Sequence, residues 1–175
     1  ALGLPLRIKN KLYNSAAIIQ KGKILGLVPK THLPNYGEFY EKRWFATAPA
    51  EPVVVNLCGQ DSLIFQAGQI FECENIPGLT LGFEICEDLW SPDSPSTGMA
   101  KAGATIIGNL SASNEVVGKA AYRRQLVTMQ SAKLLCGYVY ASAGAGESTS
   151  DLVFGAHQLI AENGTLLAER RFEGG

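Results

Sequence analysis

Residues 81–90 read LGFEICEDLW and place a thiol, Cys86, between two carboxylates, Glu84 and Glu87, with Asp88 next. Just before it, Leu79, Leu81, Phe83 and Ile85 alternate with Thr80, Gly82 and Glu84, the period-2 pattern of a strand. A cysteine where such a strand ends in a turn has the geometry that exposes a nucleophile and offers the next backbone N–H groups to an oxyanion. Against this, neighbouring acids raise a thiol's pKa and make it inert, and free cysteine is among the most buried residue types. Cys86 is therefore either a quiet structural residue or a nucleophile with a basic partner. Lys30, which ends the apolar run ILGLVPK, is the candidate partner. It is either a snorkelling surface lysine or a cation aimed into a pocket, where it would favour the thiolate.

The stretch after Lys30 supplies Tyr36, Glu38, Tyr40 and Glu41. These make either an exposed turn whose aromatics cover the core or a polar pocket for a small zwitterion. Ser111 and Ser113 follow the apolar run in ATIIGNLSAS. Ligands bind past strand ends in open α/β sheets, although serine in a loop is also a common cap or turn residue. The glycine-rich SAGAGEST lacks the Lys-Ser/Thr of a phosphate loop, and neither GxGxxG nor an SGGxDS segment occurs, so nucleotide chemistry is not encoded in these residues. Cys58, Cys73, Cys86 and Cys136 form no CxxC pair, and only His32 and His157 could join them, so no metal site is indicated.

These residues need elements to position them. NSAAIIQKGKILGLVPK reads as two strands around a Lys21-Gly22 turn, PVVVNL and DSLIFQAGQIFECEN as further strands, and THLPNYGEFYEKRWF as a loop or short helix. After Cys86 a turn leads to a helix with Ser96 or Thr97 as its N-cap. EVVGKAAYRRQLVTMQSAKLLC is the longest helical stretch, with Val117, Ala121, Thr128, Ala132 and Leu135 spaced for one face. A strand GYVYASA, a Gly/Ser loop GAGESTSD and a hairpin with an Asn163-Gly164 turn follow, and Gly174-Gly175 is expected to fray. Interleaved strands and helices make the class α/β or α+β.

At 175 residues the chain suits one domain, able to bury roughly 70 % of its unfolded surface. Hydrophobic residues are 46 % and charged ones 18 %, the composition of a packed globular protein. A net charge of −1 suggests no nucleic-acid or anionic-membrane partner, and no apolar run reaches about 18 residues. Unpatterned cysteines suit reduced thiols in a cytoplasmic protein.

Taken together, GLVPKTHLPNYGEFYEKRWF, GFEICEDLW and GNLSASNEVVGK resemble the nitrilase, or carbon–nitrogen hydrolase, superfamily. They are most similar to the glutaminase domains of glutamine-dependent NAD synthetases, and GESTSDLVFGAHQLIAENG fits the same domain. The resemblance spans nearly the whole chain. It implies a nitrilase-type αββα four-layer sandwich and a Glu-Lys-Cys triad in which Lys30 is the lysine and Cys86 the nucleophile. Tyr36, Glu41, Trp90 and Ser113 fall where that family holds its glutamine, with Glu87 and Ser111 near them; either Glu38 or Glu41 is the second acid that orients Lys30. The family's catalytic Glu lies upstream of the lysine strand, whereas residues 1–29 contain no Asp or Glu. With no initiator Met, residues 1–175 are then expected to be a partial glutaminase domain, its N-terminal part missing and inactive by itself. The implied reaction is glutamine hydrolysis that feeds ammonia to a synthetase domain of the same polypeptide, where ATP and deamido-NAD bind; no cofactor is expected in this chain, and a homo-oligomer is. A stand-alone nitrilase-type amidase and a non-catalytic fragment are the alternatives.

Overall fold

The computed structural model describes residues 1–144, 146–147 and 151–172. Lys21 and Gly22, at φ 48° and 78°, turn the chain between β2 (Lys11–Gln20) and β3 (Lys23–Pro29), as their sequence predicts. With β1 (Leu2–Ile8), β4 (Val53–Leu57) and β5 (Gln60–Phe65) they form a five-stranded sheet in the order β1-β2-β3-β5-β4. Its neighbours are antiparallel except β3 and β5, which meet in parallel at Leu27 and Phe65.

A six-stranded sheet follows: β6 (Ile70–Glu72), β7 (Thr80–Ile85), β8 (Ile106–Ser111), β9 (Gly137–Ser142), β10 (Gln158–Glu162) and β11 (Thr165–Arg170), in the order β11-β10-β9-β8-β7-β6. Its centre, β7-β8-β9, is parallel, and parallel neighbours need crossovers. Helices α1 (Glu87–Trp90) and α2 (Pro95–Lys101) provide the first crossover and α3 (Lys119–Leu134) the second. Asn163 and Gly164, at φ 46° and 83°, close the β10–β11 hairpin, again as expected.

The helices pack on one face of the second sheet, where Met99, Ile107, Val127, Tyr138, Leu159 and Ala161 make the larger core. The sheets meet on the other face. A side chain at Gly26 would lie 3.0 Å from Phe71, whose ring meets Phe83 edge-on. Leu27, next to Gly26, points the opposite way, into a second cluster with Leu6, Tyr13, Leu63 and Phe65. Two sheets and a helix layer are three layers of the expected sandwich; among the described residues no helix covers the first sheet.

Three local expectations change. The N-cap of α2 is Ser94, not Ser96 or Thr97, because Pro95 takes the first helical position; Ser94 accepts the Thr97 N–H through its backbone carbonyl, while its hydroxyl goes to Glu84. The last long helix starts at Lys119, so Val117 precedes it fully exposed. The buried face of α3 carries Ala120, Arg123, Val127, Gln130 and Ser131, not the apolar positions spaced from Val117; polar partners inside the fold outweigh apolar spacing. Parts of the Gly/Ser segment and Gly174-Gly175 lie outside the described residues.

Gly82 on β7 lies against α2: a Cβ there would sit 2.7 Å from the Met99 sulfur and 3.0 Å from Ile107 Cδ1, both fully buried. Gly82→Ala should therefore cost about 1–3 kcal/mol of overpacking in urea unfolding. Gly98→Ala on α2, with nothing within 4 Å, should be neutral or stabilising by about 0.4–1 kcal/mol.

Candidate active site

Cys86 sits between the end of β7 and α1 with φ 47° and ψ −101°, a conformation in the left-handed half of the map that a residue with a Cβ adopts only when its surroundings hold it there. Its N–H donates to Leu110 O at 3.0 Å and to Asn109 Oδ1 at 3.2 Å, fixing it to the neighbouring strand. Asn109 is itself held by the Ser111 hydroxyl (2.6 Å) and Tyr138 Oη (3.2 Å). The buried Glu84 takes the Tyr138 hydroxyl, Ser94 Oγ (2.8 Å) and Ser96 N–H (2.9 Å). The acids flanking the thiol are thus committed elsewhere: Glu84 into the helix layer, Glu87 to Tyr36 Oη at 2.8 Å.

Asp88 has a different task. Its Oδ1 accepts from Thr31 N–H (3.0 Å) and His32 N–H (2.7 Å), and its Oδ2 from Ile85 N–H (2.9 Å). One buried carboxylate therefore ties the chain just after Lys30, in the first sheet, to the chain just before Cys86, in the second. Burial pushes this carboxyl up to about 6, against the pull of the Ile85 and His32 donors.

Lys30 is 1 % exposed, which excludes the snorkelling surface reading. Its Nζ lies 2.6 Å from Glu41 Oε1, so Glu41 rather than Glu38 orients it. Lys30, Glu41, Cys86 and Ser111 line one cavity of about 560 Å³. On the other side of Cys86 lies a smaller cavity of about 300 Å³, walled by Tyr36, Glu38, Phe39, Glu87, Trp90, Ser113 and Lys119. Lys119 Nζ stands 5.4 Å from the ring centres of Phe39 and Trp90, and Asn114 bridges it to Glu38. Burial and the nearby Arg123 lower the Lys119 pKa, while the carboxylates Glu38 and Glu87 raise it.

The structure brings the sequence-chosen residues together around Cys86, with two changes of place. Glu41 does not join Tyr36, Trp90 and Ser113 in the smaller cavity; it pairs with the buried Lys30 ammonium and lines the larger one. Ser111 donates its hydroxyl to Asn109 and so supports the strand beside Cys86. Sequence reading missed Asn109, Asp88, Asn114 and Lys119. Asn109 carries a signal, a lone amide inside the apolar run TIIGNL, as buried amides in strands need partners. Asp88 and Lys119 carry none, because acids at a helix start and lysines at a helix N-terminus are ordinary surface residues.

The chain matches the carbon–nitrogen hydrolase family over residues 1–173. It is 45 % identical over 168 residues to the glutamine-dependent NAD(+) synthetase of Mycobacterium tuberculosis (strain H37Rv), covering 96 % of this chain and 25 % of the relative. Against the human enzyme of that name identity is 32 % over 178 residues, covering 96 % and 24 %. The crystal structure of a glutamine-dependent NAD(+) synthetase from Cytophaga hutchinsonii superposes with a TM-score of 0.83 and 31 % identity, over 98 % of this chain and 27 % of that one. The chain thus spans about a quarter of the length of these relatives.

The Asp88 clip makes a prediction about stability. Asp88→Asn keeps the shape but turns a donor toward a backbone N–H, and should cost about 1–3 kcal/mol at pH 7 in urea unfolding. Since the folded-state value, about 6, lies above the ordinary 3.8, the carboxyl's contribution is full below pH 3.8 and is lost as pH rises through 6. The gap between wild type and variant should therefore widen toward pH 4; a constant gap would show that burial does not raise the Asp88 carboxyl in the folded protein.

Proposed function

The chain belongs to the carbon–nitrogen hydrolase family, and on that footing we propose that it hydrolyses the side-chain amide of glutamine through Cys86, as the glutaminase unit of a glutamine-dependent NAD synthetase. One observation carries the reading: Cys86 stands between a buried lysine and a small cavity that offers one cation, Lys119, and two carboxylates, Glu38 and Glu87. A desolvated α-amino acid needs such a pairing for its carboxylate and ammonium. A simple amide does not, so the same feature favours glutamine over the substrates of a stand-alone amidase.

In the proposed reaction the amino-acid end lies in the 300 Å³ cavity, its carboxylate toward Lys119 and its ammonium toward Glu38 and Glu87, with Phe39 and Trp90 as walls. The side-chain carboxamide then reaches the Cys86 sulfur, which attacks its carbon. The Lys30 ammonium, held by Glu41, and the backbone N–H after Cys86 stabilise the oxyanion. A carboxylate base takes the thiol proton, passes it to the departing ammonia, and activates the water that cleaves the thioester to glutamate and free thiol. The family resemblance assigns that base to a Glu upstream of the Lys30 strand. Ammonia goes on to a synthetase domain of the same polypeptide, to which ATP and deamido-NAD are assigned. The proposal places the whole in the cytoplasm as a homo-oligomer.

In the intact polypeptide, Cys86→Ala should abolish ammonia release from glutamine and spare synthesis driven by free ammonia. Lys119→Met removes a hydrogen bond to a charged group, about 1.5–3 kcal/mol. It should raise KM for glutamine roughly 10- to 150-fold, again leaving ammonia-driven synthesis intact. Equal losses with both nitrogen donors would overturn the glutamine-site reading, and faster release from propionamide than from glutamine would favour the amidase.

A further inference from the structure

Behind the smaller cavity lies a charge network that no step above uses. Arg123 of α3 is fully buried. Its Nη2 donates to Ser113 Oγ at 3.1 Å and Asn114 O at 3.0 Å; its Nη1 donates to Glu115 Oε1 at 2.7 Å and faces His157 Nδ1 at 2.7 Å. Three consecutive residues of the β8–α3 loop therefore hang on one guanidinium. Ser113 lines the cavity, and the Asn114 side chain joins Glu38 to Lys119 there.

A guanidinium can only donate, so Nδ1 of His157 must accept and its proton must sit on Nε2. That nitrogen lies 2.9 Å from Glu169 Oε1 on β11, and Arg124 grips Glu169 with two hydrogen bonds of 2.9 and 2.8 Å. The charged groups around the ring are thus Arg123 from α3, Glu169 from β11, Arg171 beyond it, and Glu115, which pairs with both Arg123 and Arg171. A proton on Nδ1 would set an imidazolium against the Arg123 guanidinium. Burial first and then the arginines hold the His157 pKa down, with Glu169 opposing them.

We propose that Arg123, seated by neutral His157, is the positioning residue for the Ser113–Asn114 wall of the substrate cavity, so that protonation of His157 weakens substrate binding without disabling Cys86. The inference rests on the reading of that cavity as the seat of the amino-acid end of glutamine. Arg123 touches no reacting atom; it acts through Ser113 and Asn114.

The test follows the full-length polypeptide across pH. Nitrogen-15 spectra of labelled histidine should show His157 as the Nε2–H tautomer at pH 7.5 and titrating below free histidine; an Nδ1–H tautomer or a charged ring at pH 7.5 would overturn the proposal. Below that midpoint KM for glutamine should rise roughly ten-fold per pH unit, as expected for one proton linked to binding, while kcat changes less. His157→Asn keeps an acceptor near Nδ1 and cannot be protonated, so its KM should lose this slope. A wild-type slope in His157→Asn, or a flat KM in wild type, would also overturn the proposal. Arg123→Met should raise KM more than ten-fold with an unchanged rate of Cys86 alkylation by iodoacetamide; thermal unfolding of both variants shows whether they are folded. If wild type releases no ammonia from glutamine at any pH, the substrate reading fails, and the substrate clause of the inference with it, whereas a KM that ignores His157 in an active enzyme sinks the inference alone.

Discussion

The site depends on one carboxylate shared by two sheets. Lys30 and Cys86 are 56 residues apart and end strands that never pair with each other. Side-chain packing at the seam, built from Gly26, Phe71 and Phe83, sets the distance between the sheets but leaves them free to slide. Directional bonds remove that freedom. Asp88 supplies them, because its two oxygens take donors from both sides at once. Its cost is the burial of a charge, which shows in the raised pKa.

A second constraint acts on the backbone of Cys86. A non-glycine residue at positive φ stores strain, and here the neighbouring strand restrains it: Leu110 and Asn109 hold its N–H. Behind them Tyr138, Glu84, Ser94 and Ser96 form a buried polar layer in which each group has a partner. Such a layer adds little net stability per bond, but breaking it leaves desolvated groups unpaired, so it favours one arrangement over its neighbours. The thiol is placed by polar specificity laid over an apolar core.

What could be read in the sequence was what depends on near neighbours. The alternation before Cys86, the Lys21-Gly22 and Asn163-Gly164 turns, and an apolar strand ending in Lys30 are local patterns, and the elements they predict are present. The face of α3 was misread because its inward residues include Arg123, Gln130 and Ser131, whose partners lie on other elements. The choice between Glu38 and Glu41 was likewise not local: Glu41 meets Lys30 and Glu38 meets Asn114, 76 positions away. Periodicity reports solvent and core; it carries no record of which buried polar groups find each other.

Because its two walls come from different sheets, the cavity lined by Lys30 and Cys86 is a late product of folding. A chain emerging during synthesis presents Lys30 long before Cys86, and even a finished second sheet would carry its thiol without the lysine that lines the same cavity from the first. Long-range closure of this kind is slow compared with forming a hairpin. The cavity that Lys30 and Cys86 share is thereby completed only once both sheets are in place.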